Sequence, residues 1–249
     1  MQSHRSEINV NLVSVADIGR TRYADAWKLQ QELWKLRHAG AVGDVLLFTE
    51  HEHVYTMGKG GDANHLLATG NELKETGVDF FEIDRGGDVT YHGPGQVVGY
   101  PIIDLNQYVP DLHRYLRNLE ETIIIALGEF GIEGTREEGL TGVWVKGEKI
   151  AAIGVKASRW VTMHGFALNV NTDLSRFSRI IPCGIFHKGV TSMQAILGKT
   201  VSLQDVQRSL TESFGSVFAC RTETYKREEL MNTIAAGELR RHEQTKGVL

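Results

Sequence analysis

The chain is poor in the features that mark several common protein classes. It has only two cysteines, Cys183 and Cys220, in 249 residues. One pairing does not make the stapled scaffold of a small secreted domain, so a reducing compartment is expected. No stretch approaches the ~18 uninterrupted apolar residues of a membrane span, and the opening MQSHRSEINV has no apolar signal core. These absences predict a cytoplasmic protein with no membrane role. Positive charge is not in excess either. The formal net charge is -4, which gives no general attraction to nucleic acid and leaves any basic patch to local arrangement. Repeats, low-complexity runs and Pro/Ser-rich linkers are missing, which argues for a single domain over 1–249. A GxxxxGK[ST] phosphate loop is missing too; Gly58-Lys59-Gly60-Gly61 has neither its spacing nor a helix after it.

What is present is ample apolar sequence, 41% of residues, enough for a sizeable core. Helical spacing links Tyr23, Trp27, Gln30 and Trp34, then Leu112, Leu116, Leu119, Ile123 and Leu127, then Leu203, Val206, Leu210, Phe214 and Val217. Asp111 and Ser202 are placed as N-caps, and Gly40 and Gly131 as stops. A weaker helix is expected over 227–241. Strand character marks 44–49, 54–57, 79–83, 97–103, 142–145, 149–155 and 160–170, the last three as consecutive antiparallel strands. The N-terminal Ile-x-Val-x-Leu alternates as a strand does. Helices segregated before and after these strands predict an α+β fold, with a mixed, largely antiparallel sheet flanked by helices. Residues from about 199 onward read as a helical C-terminal extension.

Several short stretches carry chemically capable residues. Arg85-Gly86-Gly87 pairs a forked cation with backbone that a ligand can approach closely, or is simply a tight turn. His92 precedes Gly-Pro-Gly in TYHGPGQ, a loop with little bulk around the imidazole. His51-Glu52-His53 lacks a cysteine or a third ligand nearby, so no metal is expected. Cys220, in a helical context, reads as a small buried apolar group. Cys183 stands between Pro182 and Gly184 in IIPCGIF. A thiol of ordinary pKa, about 8.5, needs a neighbouring cation or base to act as a nucleophile at neutral pH. Lys149, His92, His164 and Lys188 are candidates, and spacing does not choose among them.

Taken together, RGGDVTYHGPGQVVGYPIIDL, GVWVKGEKIAAIGVKASRWVTMHGFALNVNTDL and IIPCGI, in this order, closely resemble the lipoyl(octanoyl) transferase family over about 44–197. The resemblance implies the catalytic-domain fold of biotin and lipoate protein ligases. It also implies transfer of an octanoyl group from acyl carrier protein to a lysine of lipoyl domains, those of 2-oxoacid dehydrogenases and the glycine cleavage H protein. By position, the acyl-thioester cysteine falls on Cys183 and its partner lysine on Lys149. The acyl-binding segments fall on Arg85, Gly86, Gly87, Asp88, Val89, Thr90, Tyr91 and His92, on Ala152, Ile153 and Gly154, and on Gly165, Phe166 and Ala167. His92 and His164 stand behind them as positioning groups. No cofactor is implied, because thioester exchange is nearly balanced and aminolysis of a thioester runs downhill without ATP. An acidic carrier protein calls for a local basic patch, for which Arg114, Arg117, Lys156, Arg159, Arg176 and Arg179 are candidates. Two rivals remain: an ATP-dependent ligase on the same fold, which has no use for Cys183, and a binding module without chemistry.

Overall fold

The computed structural model describes residues 10–181 and 189–235. Along the chain come β1 (Leu12–Thr21), α1 (Tyr23–His38), β2 (Asp44–His51), β3 (Val54–Met57), α2 (Gly70–Glu75), β4 (Asp79–Glu82), β5 (Val89–His92) and β6 (Gln96–Ile102). Then follow α3 (Leu112–Gly128), β7 (Val143–Val145), β8 (Glu148–Ser158), β9 (Val161–Asn169), α4 (Met193–Leu197), α5 (Leu203–Val217), β10 (Arg221–Tyr225) and α6 (Arg227–Ala235). Seven strands form one sheet in the order β10-β1-β2-β6-β9-β8-β7, and three form another in the order β4-β3-β5. In the large sheet β1 is parallel to both β10 and β2, and the remaining neighbours are antiparallel. The α+β reading and its largely antiparallel sheet hold.

Alternation along the strands sends side chains to two cores. Val13, Val15, Leu46, Phe48, Val97 and Leu168 face α3 and α5, where Leu119, Ile123, Leu210 and Phe214 close the layer. Ala16, Ile18, Val45, Leu47, Val98, Tyr100 and Ala167 face the other way, onto α1 and α6. Full burial of each large apolar side chain contributes roughly 1.5–3 kcal/mol, so this two-sided packing fixes the strand register. The caps hold as expected: Asp111 accepts from the Arg114 N–H and Ser202 from the Asp205 N–H, each interaction stabilising its helix by ~1 kcal/mol. The three-strand run β7-β8-β9 closes through two-residue turns whose central residues all have positive φ, at Lys146 and Gly147, then at Arg159 and Trp160, as type I′ hairpins require.

Two differences from the sequence reading matter. TYHGPGQ, read as a loop, begins as strand: Val89–His92 pairs antiparallel with β3, and only 93–95 turns. The stretch from 199 onward contains α5 and α6 but also a strand, β10, paired to β1. Its Val201, Val206, Leu210, Phe214 and Phe218 belong to the main core. The weaker helix is described to Ala235; the rest of its expected span lies outside the described residues.

Candidate active site

A cleft of about 790 Å³, part of it open to solvent, lies between the large sheet, the small sheet and the start of α1. Its floor exists because the side chains there are small. Ala152 pairs with Ala167 and Gly154 with Gly165 across β8 and β9, and Val98 lies opposite Ala167 on β6. Close packing beneath this floor depends on glycine. A Cβ on Gly165 would stand 2.1 Å from the Gly99 carbonyl oxygen, and one on Gly99 would stand 2.3 Å from the Phe166 ring. The roof comes from Val89, Thr90 and His92 on β5.

One end of the cleft is a buried polar cluster. His51 Nε2 is 2.6 Å from the Tyr100 hydroxyl, and His92 Nδ1 is 2.8 Å from Gln96 Oε1. Burial lowers both imidazoles, His51 to about 4, so they are neutral at physiological pH. Arg85 is folded back, its Nη2 donating to the Thr56 carbonyl at 2.8 Å and to Thr56 Oγ1 at 3.0 Å. The backbone after it docks onto the sheet edge: the Gly86 N–H donates to the Val155 carbonyl at 2.9 Å. His164 sits at φ +59 in mid-strand, a conformation a non-glycine residue adopts only when its surroundings hold it there. Its N–H donates to Gln30 Oε1 at 2.9 Å and its Nε2 meets Asp84 Oδ1 at 2.9 Å. Burial lowers the His164 pKa, while the hydrogen bond from His164, then Lys156 at 2.5 Å, holds Asp84 well below the usual carboxylate range. The imidazole is therefore neutral and donates its Nε2–H to a charged carboxylate. Its buried Nδ1 has no hydrogen-bond partner among the described residues.

Lys149 occupies the other end, at the start of β8. Its Nζ lies 3.5 Å from the Thr141 carbonyl oxygen and 4.8 Å from the centre of the Trp144 ring. Its backbone is bonded on both sides to the segment 189–191: the Lys149 N–H donates to the Gly189 carbonyl at 2.9 Å and the Thr191 N–H donates to the Lys149 carbonyl at 3.0 Å. On the far flank, the Ile181 N–H donates to the His65 carbonyl at 2.8 Å. Cys183, with Lys188, lies outside the described residues.

Of the residues singled out from sequence, the cleft gathers Arg85, Gly87, Asp88, Val89, Thr90, His92, Lys149, Ala152, Ile153, Gly154, His164, Gly165, Phe166 and Ala167. Gly86 is not among its lining residues, and neither is Tyr91, whose hydroxyl meets His53 Nδ1 at 2.7 Å while its ring packs on Tyr55 and Phe177. Sequence reasoning missed Tyr23, Gln96, Val98, Tyr100, Thr141 and Asn169. The period-two spacing of Gln96, Val98 and Tyr100 was the available signal. The two histidines of His51-Glu52-His53 are engaged by different tyrosines. Five of the six residues named for a local basic patch are held by near neighbours. Arg117, Lys156, Arg176 and Arg179 each pair with a local carboxylate, and Arg159 Nη1 lies 2.9 Å from His38 Nε2. Burial, with Asp44 nearby, pushes the Cys220 thiol up to about 12, which leaves it inert.

Comparison with known proteins gives a consistent outcome. The lipoyl protein ligase A/B catalytic domain matches residues 22–215. The chain is 54% identical over 201 residues to the octanoyltransferase of Rubrobacter xylanophilus, spanning 80% of this chain and 90% of that one. With the octanoyltransferase of Christiangramia forsetii it shares 48% over 223 residues, 83% of this chain and 95% of the relative. Among solved structures, lipoate-protein ligase A bound with ATP superposes with a TM-score of 0.70 at 14% identity, covering 91% of this chain and 93% of that one. The bipartite lipoate protein ligase of Thermoplasma acidophilum gives 0.65 at 16%, over 96% and 100%. At such identities the structural likeness shows the fold alone, and the sequence relatives are what set the family. On that basis the chain belongs to the lipoyl protein ligase A/B catalytic domain family and, within it, to the octanoyltransferases.

Proposed function

We propose that this single-domain member of the octanoyltransferases takes its octanoyl group from acyl carrier protein, holds it as a thioester on Cys183, and passes it to a lysine of a lipoyl domain, in the cytoplasm. The observation that carries this reading is the position of Lys149, at one end of a cleft floored by Ala152, Gly154, Gly165 and Ala167 and bonded through its backbone to the segment 189–191, a few residues after Cys183 in sequence. In the first half-reaction the Cys183 thiolate attacks the thioester carbonyl, the C–S bond to the carrier breaks, and the departing thiolate takes a proton from the Lys149 ammonium. In the second, the acceptor amine attacks the acyl-enzyme, gives a proton to the now neutral Lys149, and Cys183 leaves as thiolate. Lys149 ends as it began, so no cofactor or ATP enters the balance.

Arg85, Gly86, Gly87, Asp88, Tyr91 and His92 shape the wall in this reading. Asp88 Oδ2 is tied to His65 Nδ1 at 2.5 Å, and Tyr91 and Gly86 act from behind, through His53 and Val155. The test is transfer from octanoyl-acyl carrier protein to an apo lipoyl domain of a 2-oxoacid dehydrogenase or of the H protein, with and without ATP. Transfer without ATP that is lost in both Cys183→Ser and Lys149→Ala is expected. Full transfer by Cys183→Ser removes the thioester route, and a requirement for ATP favours ligation instead.

A further inference from the structure

Glu120 is a buried carboxylate that the chemistry above leaves unused. It sits on α3 beside Leu119 and Ile123, side chains of the apolar core, and is 0% exposed. Burying a carboxylate costs several kcal/mol of hydration, which only good partners offset. It has three of them. Arg117 Nη1 donates at 2.7 Å and Arg136 Nε at 3.0 Å, both to Oε2, while the Gly142 N–H donates to Oε1 at 3.1 Å. The two arginines reach in from the surface, 49% and 36% exposed. The third donor lies inside and belongs to the turn that meets Lys149.

That third bond is the informative one. The Gly142 N–H and the Thr141 carbonyl are the two ends of one planar trans peptide, so they point in opposite directions. With the N–H held by Glu120, the carbonyl is aimed at Lys149 Nζ, 3.5 Å away. The close approach at this point requires glycine. Gly142 is at φ +137, and a Cβ there would stand 2.7 Å from the Ala151 carbonyl oxygen and 3.4 Å from Lys149 Cε. A carboxylate on the N–H also polarises the peptide and strengthens its carbonyl as an acceptor, as in any chain of hydrogen bonds at low dielectric. The Trp144 ring, on β7 just after the turn, completes the seat.

We propose that Glu120 is a positioning residue for Lys149, acting through the 141–142 peptide and fixing where the ammonium sits in the acyl-transfer site. This rests on the role given to Lys149 above. The test compares Glu120→Gln, which keeps an acceptor but removes the charge, with Glu121→Gln, whose carboxylate also pairs with Arg136 yet is 43% exposed and bonds no part of the turn. Steady-state transfer and the ¹³Cε resonance of Lys149 in lysine-labelled protein are read below the melting temperature. Positioning predicts that Glu120→Gln lowers kcat roughly ten- to a hundredfold with KM within twofold, since misplacement of a catalytic group by about 1 Å costs on that order. It also moves the Lys149 resonance, whereas Glu121→Gln does neither. If Glu120→Gln does not fold, Glu120→Asp, which draws the charge back by one methylene, should show the same split. A lowered melting temperature with kcat and resonance unchanged in the folded variant overturns the inference and makes Glu120 a structural ion-pair centre. Transfer that survives Lys149→Ala would instead overturn the reading on which the inference rests.

Discussion

Replacing Ala167 by leucine should shorten the acyl chain that the cleft accepts. From Asn169 to Gly165 are five residues of β9, of which all but Leu168 line the cleft; their four steps give a floor of about 13 Å at ~3.3 Å per residue. An extended octanoyl chain, seven C–C bonds in zigzag, is roughly 9 Å long. In the proposed reaction its carbonyl would lie toward Lys149 and its tail near Gly154 and Gly165. Ala167 lies midway, opposite Ala152 and Val98, so a leucine there fills the space under the middle of the chain. About four methylenes lose their burial, at ~0.8 kcal/mol each about 3 kcal/mol, or roughly two hundredfold in kcat/KM for octanoyl. Butanoyl transfer should stay within a few-fold. The assay is kcat/KM for C4, C6, C8 and C10 acyl-carrier thioesters with wild type and Ala167→Leu. A preference curve that falls in height without moving to shorter chains would refute the orientation given to the acyl group.

Three further outcomes follow from the same geometry. His51, His92 and His164 all have pKa values lowered by burial, His51 from 6.5 to about 4. Between those pH values the unfolded chain binds more protons than the folded one, so stability is present above pH ~6.5 and lost as pH falls toward 4, with His51 alone contributing about 3 kcal/mol. Denaturant melts at pH 7 and pH 4.5 check this, and equal stability at both would count against neutral histidines. Gly165→Ala puts a Cβ 2.1 Å from the Gly99 carbonyl oxygen; it should cost about 1–3 kcal/mol in thermal or urea unfolding, and a near-neutral change would mean that β6 and β9 can part locally. Lys149→Ala should slow acyl-enzyme formation and shift the pH profile of Cys183 alkylation to higher pH, which an unchanged profile would contradict.

The parts of the fold legible in sequence are those governed by local periodicity. Val54–Met57 was bounded correctly, and the caps at Asp111 and Ser202 were found because capping chemistry is confined to one turn. The small residues of the cleft floor were legible as segments, but which of their neighbours face the cleft was not. Tyr91 shows why. It lies between two lining residues, yet alternation along β5 turns it toward Tyr55 and Phe177. Tyr23 and Tyr100 read as ordinary core positions, since only the folded chain brings α1 to the end of β6. Strand β10 was hidden for a similar reason. RTETY is polar, and its parallel partner β1 lies some two hundred residues away in sequence, so no local turn announces the pairing. Of the partners of Glu120 only Arg117, three residues before it on α3, is local in sequence, and such a pair reads as an ordinary surface contact; Gly142 and Arg136 are brought to it by the fold.

The central claim is a covalent octanoyl-enzyme on Cys183, and intact-mass spectrometry followed by peptide mapping tests it most directly. Protein mixed with octanoyl-acyl carrier protein, without ATP, should gain a single octanoyl group that maps to the peptide containing Cys183 and disappears when apo lipoyl domain is added. An unmodified enzyme that nevertheless transfers the octanoyl group, or an adduct on another residue that turns over, would contradict the account.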